Sequence, residues 1–327
     1  MPEFHTVARP LLKAVAAAVA ASQSLTNNKH TMTQNYLKST LALAAIVALP
    51  TLSWAGTTTK AAAPAPAEKI NSSAITGDIG VGVYSAMYSR GQILFNQNPT
   101  ILPYIDLFAT AYEGDGFLNK AMLSLNITEY YGHKKVPGSG SNSSWYENDF
   151  IPGIALTFGK VTISESIHWY TSPNNTVGST TFQGLNSSIG FDDGDLLGAF
   201  ALHPAFTYMQ KMNGHGGYYE ISAGPGASSG PISIAFPVAL GYGEDGFYGA
   251  ATGKAPKNGF AYFSVGTKIT YTLPVPKTYG TWALSAGVTY YSKDTEVTEQ
   301  SSFVSGGNPT SLKDNDVVAS AGLQVNF

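Results

Sequence analysis

The stretch Tyr279–Ser292, YGTWALSAGVTYYS, decides the fold. Trp282, Leu284, Ala286, Val288 and Tyr290 fall on one parity; Thr281, Ser285, Gly287 and Thr289 fall on the other. Successive side chains of a strand point to opposite faces, so the pattern predicts a strand with one apolar face and one small, polar face. A soluble sandwich alternates in the same way, and length separates the two. Globular strands cluster near about five or six residues, whereas strands that cross a bilayer run to about ten or more.

The same pattern recurs along the chain. Ala121, Leu123, Leu125 and Ile127 oppose Lys120, Ser124, Asn126 and Thr128; Ile232, Ile234, Phe236, Val238 and Leu240 oppose Ser233, Ala235, Pro237, Ala239 and Gly241; Phe263, Val265, Ile269 and Tyr271 oppose Ser264, Gly266, Lys268 and Thr270. Twelve such runs are expected, near 77–89, 100–113, 118–131, 145–158, 160–171, 179–190, 196–210, 217–225, 231–242, 259–272, 279–292 and 315–327. Long polar connections such as 132–144, 243–258 and 292–314 follow odd-numbered runs, and tight turns such as GDGF at 114–117 and GK at 159–160 follow even-numbered ones. An even strand number with long loops on one side and short turns on the other predicts an all-β fold, a transmembrane antiparallel β-barrel of twelve strands. Lipid cannot satisfy a free strand edge, so the sheet has to close.

The composition agrees. Charged residues make up 12% of the 327, with 35 Gly and 19 Tyr, a profile of strands, turns and interfaces. A formal charge of −3 lacks the clustered Lys and Arg that nucleic acid requires, so no nucleic-acid partner is expected. The absence of Cys excludes disulfides, thiolate nucleophiles and Cys-ligated metals.

Both ends carry an address. From Met32, Lys38, the apolar Leu41–Leu49 and the small residues around Ser53–Ala55 read as a bacterial signal peptide over 32–55, too short to span as a helix. Residues 1–31 are read as an upstream extension, 56–76 as a flexible periplasmic lead-in rich in Ala, Pro, Thr and Ser, and 77–327 as the outer-membrane barrel. The last strand ends SAGLQVNF, with Ser320, Gly322, Val325 and a terminal Phe327. This looks like the C-terminal targeting signal of outer-membrane proteins, to be read by the barrel-assembly machinery. Val317, Ala319, Ala321, Leu323, Val325 and Phe327 would face lipid, and Gln324 and Asn326 the lumen.

Three stretches carry a family resemblance: GDIGVGVYSAMYSRGQ at 77–92, YEGDGFLNKAMLSLNI at 112–127 and WYENDFIPGIALTFGKVTISESIHWYTSP at 145–173. They resemble the TorF-like porins, outer-membrane barrels with an aromatic first strand ending in Arg-Gly, a turn before Gly-Phe, and an acidic strand whose partner ends in a Tyr-x-x-Pro-like sequence. Here these are Ser89, Arg90 and Gly91; Gly114–Phe117; and Glu147, Asp149, Tyr170 and Pro173. The loops 243–258 and 293–314 depart from that pattern, and the resemblance implies a porin without naming its cargo.

Charges cannot cheaply face lipid, where a midplane Lys or Arg costs about 2–4 kcal/mol. The predicted lumen-lining set is therefore Tyr84, Tyr88 and Arg90, continuing one strand parity; Glu147 and Asp149, on the face of Trp145; and Lys120, His168, Glu220 and Lys268. A lumen of both signs suits small polar solutes, or the same charges pair and fill a narrow barrel. Glu165 breaks the pattern by falling on the apolar parity of Val161, Ile163 and Ile167, which predicts a bulge or a shifted register. Twelve aromatic residues near strand ends (Tyr130, Tyr131, Trp145, Tyr146, Trp169, Tyr170, Tyr208, Tyr218, Tyr219, Trp282, Tyr290 and Tyr291) read as interfacial girdles.

Other motifs point to no chemistry. GYGEDG at 241–246 satisfies G-x-G-x-x-G but lacks the strand–loop–helix context of a nucleotide site. FDDGD at 191–195 reads as a turn, and His133, His203 and His215 show no paired metal-ligand spacing. Ser166 and His168, about 7 Å apart along one strand face, allow a water-bridged pair without a surrounding nucleophile signature. The expectation is a porin-like channel in the bacterial outer membrane, for passive diffusion of small polar solutes, with outer-membrane lipids as surroundings, no cofactor and no enzymatic step. The alternatives are a closed structural or surface-interaction barrel acting through its extracellular loops, and a lipid-modifying enzyme.

Overall fold

A computed structural model describes residues 75–95, 99–132, 144–171, 182–198, 201–212, 215–244, 246–248, 257–298 and 314–327. The segments read as an extension (1–31), a signal peptide (32–55) and a lead-in (56–76), apart from residues 75 and 76, lie outside the described residues, as do most of the three longest loops.

The strands are β1 (Ile75–Tyr84), β2 (Met87–Ser89), β3 (Gln92–Phe95), β4 (Thr100–Glu113), β5 (Lys120–Gly132), β6 (Trp145–Phe158), β7 (Val161–Thr171), β8 (Phe182–Phe191), β9 (Ala205–Lys211), β10 (Gly217–Ala223), β11 (Gly226–Ser229), β12 (Ile232–Ala235), β13 (Val238–Gly243), β14 (Gly259–Thr272), β15 (Thr281–Lys293) and β16 (Asn315–Asn326). Two short helices, α1 (Gly194–Leu197) and α2 (Thr295–Thr298), sit in connections. Fourteen strands form one antiparallel sheet, which closes because β1 pairs with β16 and β14 with β15. β10 with β11, and β12 with β13, are each one stave of the wall broken at a proline, so the barrel has twelve staves.

The prolines explain the breaks, since Pro225 and Pro237 have no N–H for the ladder. Their carbonyls remain in it, accepting from Phe236 N at 2.7 Å and Gly266 N at 2.9 Å. Two expected strands change shape. The run expected over 196–210 begins at Ala205: Gly194–Leu197 form α1, and 201–204 are irregular, with His203 at φ 46° and Pro204 before the strand. The first run ends at Tyr84 instead of continuing to residue 89. A bend follows, and β2 and β3 form a separate hairpin.

The outer face carries the apolar parity. Ile75, Ile79 and Val83 of β1, Leu123 of β5, Ile154 of β6, Ile189 of β8, Leu240 of β13 and Val317 of β16 are all exposed, as burial against lipid demands. An exposed apolar belt around a closed sheet defines an outer-membrane β-barrel. The C-terminus seals the seam: Phe327 N donates to Gly77 O at 2.9 Å, and Gly77 N to Phe327 O at 3.0 Å. Gly77 is required there, because a Cβ on it would lie 2.3 Å from Asp106 O and 3.0 Å from the Phe327 ring.

β7 runs through Glu165 without a bulge, in continuous register with Ile154 of β6 and Ser187 of β8. The expected bulge is therefore absent, and Glu165 points outward, where Ser187 Oγ donates to its Oε2 at 2.8 Å.

Candidate functional site: the lumen and its plug

The interior parity assembles a polar lumen. Asn126 and Thr128 of β5, Asn186 and Ser188 of β8, Thr207 of β9 and Thr289 of β15 face inward, each no more than 4% exposed. These small polar groups are buried among their inward neighbours. Nearer the periplasmic end the inward side chains are only half-buried. Asp78 and Asp106 face each other across β1 and β4, Asn126 Nδ2 donates to Asp106 Oδ1 at 2.9 Å, and Tyr104 hydrogen-bonds Asp78. Lys268, opposite Ala235 on the inner face, brings its charge toward Asp78.

The closure on the extracellular side comes from loops. β2 and β3 are joined by the two-residue turn Arg90–Gly91, with Ser89 paired to Gln92. Arg90 has φ 50° and Gly91 φ 80°, the pair of positive values that a type I′ turn requires. The hairpin folds back into the barrel. Tyr88 stacks on Tyr291 with ring centroids 4.4 Å apart, donates to Asp316 Oδ2 at 2.6 Å, and lies under Lys293 Nζ at 5.4 Å. Arg90 Nη2 donates to Tyr170 Oη at 2.6 Å and Nη1 to Ser89 Oγ at 3.0 Å. Tyr248, from the loop before β14, donates to Arg90 O at 2.7 Å, and Gln92 Nε2 donates to Thr298 O in α2 at 2.8 Å. Three loops thus converge on one plug.

Opposite the plug lies an acidic wall. Asp149, 2% exposed, hydrogen-bonds both the Glu147 carboxyl and Tyr130. Glu220 Oε2 accepts from Tyr218 Oη at 2.5 Å and Tyr262 Oη at 2.6 Å. The Arg90 charge acts on both Asp149 and Glu220. His168 Nδ1 sits 2.5 Å from Tyr170 Oη, and its Nε2 is 3.0 Å from Ser166 Oγ. That contact is direct, in place of the water-bridged spacing expected from the strand repeat.

The structure brings Tyr88, Arg90, Glu147, Asp149, His168 and Glu220 into this upper cluster. Tyr84, 8% exposed, faces inward at the top of β1; Lys268 belongs to the lower lumen; Lys120 lies at the periplasmic end of β5, paired in register with Glu113 and Thr157. Tyr88 and Arg90 reach the lumen through the hairpin and not by continuing the parity of β1. Trp145 does not share a face with Glu147 and Asp149: a bulge between Tyr130 and Tyr131 sets it opposite Tyr131, on whose ring it stacks at 6.1 Å.

The girdle reading is corrected for four residues. Tyr130, Tyr218 and Tyr291 are 4%, 0% and 3% exposed and, with Tyr170, point inward to build the plug's seat. The signal was present in the sequence: neighbours such as Tyr130–Tyr131, Tyr218–Tyr219 and Tyr290–Tyr291 cannot share a face on a strand. Asp316, Lys293, Tyr248 and Tyr262 were missed because their roles depend on a loop folding inward. The two discounted motifs lie at strand ends: Gly241–Gly243 ends β13, and FDDGD leads from β8 into α1. Glu244 of GYGEDG accepts from Gly217 N at 2.8 Å and Tyr219 Oη at 2.5 Å, and Asp193 of FDDGD accepts from Leu202 N and His203 N, each at 2.8 Å.

No family model matches the chain, and no curated protein matches it. The solved structures similar to it include outer-membrane porins and channels. The NanC porin is 11% identical with TM-score 0.40, covering 77% of this chain and 100% of that one. An outer-membrane channel from Pseudomonas putida F1 is 9% identical with TM-score 0.42, covering 81% and 100%. The DcaP channel of Acinetobacter baumannii is 7% identical with TM-score 0.33, covering 77% and 96%. The resemblance to TorF-like porins rests on the sequence motifs alone.

Proposed function

We propose that the chain is an outer-membrane channel for passive diffusion of small polar solutes, closed in the described conformation by its own extracellular loops, with no chemical step and no cofactor. The observation that carries this reading is the origin of the seal. It is built from loop segments: the β2–β3 hairpin bonds the wall at Asp316 and Tyr170, and Tyr248 and α2 bond the hairpin, while the half-buried groups below it, Asp78, Asp106 and Lys268, leave a charged vestibule. Loop contacts open at lower cost than a wall of paired strands. Charges of both signs select for small polar or zwitterionic solutes, in keeping with the TorF-like motifs at 77–92, 112–127 and 145–173. The partners in this reading are outer-membrane lipids and, during biogenesis, the assembly machinery that reads the strand ending in Phe327.

Proteoliposome swelling tests it. With residues 85–99 replaced by a short Gly-Ser link, a small neutral sugar and a zwitterionic amino acid should enter at least tenfold faster than with the intact chain. No swelling from either folded protein would instead favour a filled barrel acting through its extracellular loops.

The direct Ser166–His168 contact is the one observation in favour of a lytic reading. The proton order weakens it. Arg90 can only donate to Tyr170, and a Tyr170 hydroxyl that then donates to His168 Nδ1 leaves Nε2 carrying the proton, so it donates to Ser166 instead of acting as its base. Ser166→Ala should accordingly leave solute entry unchanged, and loss of phospholipid hydrolysis in that variant would reverse the assignment.

A further inference from the structure

Glu165 is out of place on the outer wall. On β7 the outward residues are Val161, Ile163, Glu165, Ile167 and Trp169, so two apolar residues flank the acid on each side. The hydrogen-bonded row through it begins at Ile75, at the periplasmic end of β1, and climbs to Tyr242 near the extracellular end of β13; Glu165 is the fifth of its nine residues. It therefore lies near mid-depth. Its side chain accepts one bond, from Ser187 Oγ at 2.8 Å, while a carboxyl group offers two oxygens. Lipid supplies neither donors nor acceptors, and ionisable groups at this depth usually meet protein.

The rest of the belt sharpens the anomaly. On the opposite wall, β15 and β16 present Leu284, Ala286, Val288, Ala319, Ala321 and Leu323 at comparable positions. Beyond Glu165 and Ser187, the wall continues into its shortest stave, β9 of 7 residues. Strands that cross lipid need about 9–11 residues, and a wall too short for the bilayer is relieved by thinning it or by association. Polarity at mid-depth and shortness fall on neighbouring staves of the same side.

We propose that this wall is the interface between two copies of the chain, related by a two-fold axis along the membrane normal that passes between β7 and β8. Glu165 and Ser187 are register partners on those strands. Such an axis sets Glu165 of one copy against the partner's Ser187, and Ser187 against the partner's Glu165. Carried as the acid, each carboxyl keeps its own serine bond at one oxygen and donates the proton on the other to Oγ of the partner's Ser187, closing a four-group ring sealed from lipid. The patch is self-complementary, as an isologous interface requires. It needs no cation, and the outward positions of β6–β9 offer none.

The chain has no Cys, so single-cysteine variants are clean probes. Ile167→Cys, on β7 one outward position above the ring, and Leu323→Cys, on the opposite wall, are each refolded into phospholipid vesicles and treated with a short bis-methanethiosulfonate. Ile167→Cys should give most of its protein as a band of twice the chain mass, and Leu323→Cys little. Adding Glu165→Leu to Ile167→Cys should cut the doubled band at least fivefold while heat-modifiable migration shows the barrel intact. No doubled band from Ile167→Cys, or equal bands from both positions, overturns the proposal. The comparison of the two single variants stands even if Glu165→Leu does not fold.

Discussion

Gly91→Ala tests whether the hairpin is the gate. Gly91 adopts φ 80°, a left-handed conformation that costs a residue with a Cβ about 1–2 kcal/mol. The added carbon would lie 2.9 Å from Tyr262 Cδ1, 3.0 Å from Tyr262 Cβ and 3.2 Å from Thr298 Cγ2, so the seat must also yield, at about 1 kcal/mol by comparison with overpacked cores. Both penalties vanish when the hairpin leaves the lumen, because an isolated two-stranded hairpin is not held in one turn geometry by itself. A bias of about 2 kcal/mol toward the open state follows, which is roughly 30-fold in its population at 1.4 kcal/mol per factor of ten. Single-channel recording in planar bilayers reads this as open probability. The reasoning is refuted if the variant is folded, by heat-modifiable migration, and its open probability matches that of the unmodified chain.

Glu220→Leu removes the shared acceptor of two buried hydroxyls, Tyr218 and Tyr262, and leaves them only their 3.3 Å contact with each other; it should lower stability by about 2 kcal/mol in urea unfolding from micelles, and an unchanged midpoint would show that this cluster is not sealed from water. Removing Phe327 deletes both seam bonds to Gly77 and should reduce the folded fraction severalfold in vesicle refolding, while a wild-type yield would place the closing contacts elsewhere. Asp193 lies in the turn between β8 and β9, outside the spanning strands. Desolvation pushes its carboxyl up, but the backbone N–H groups of Leu202 and His203 outweigh that and hold it below the ordinary carboxylate range. A depressed folded value means that its stabilisation is complete above the unfolded value of about 3.9 and is lost as pH falls through the lower folded one. Relative to the Asp193→Asn variant, hydrogen exchange at Leu202 and His203 should therefore be strongly protected at neutral pH and lose that protection only in acid; equal protection in both proteins at pH 7 would dismiss the carboxylate's role.

The wall was legible because it obeys one rule. A period of two with an apolar outer face survives in Ile75–Tyr84, Lys120–Gly132 and Thr281–Lys293 whatever fills the interior, and the count of twelve follows from it. What escaped depends on contacts between residues far apart in the chain. Tyr88 meets Asp316 across 228 positions, and Gln92 meets Thr298 across 206; no local pattern announces a loop that turns inward. Arg90–Gly91 could be read as the end of a strand or as a hairpin turn, and only the seat formed by Tyr170, Tyr248 and Tyr262 decides between them. Glu165 shows the converse: its parity was read correctly from sequence, and the bulge invoked to bring it inside is absent.

The most direct measurement of the account is single-channel recording on two refolded proteins, the intact chain and one in which residues 85–99 are replaced by a short Gly-Ser link. A polar lumen sealed by its own loops predicts rare, brief openings from the first and sustained, discrete conductance steps from the second. Silence from both folded barrels would contradict it.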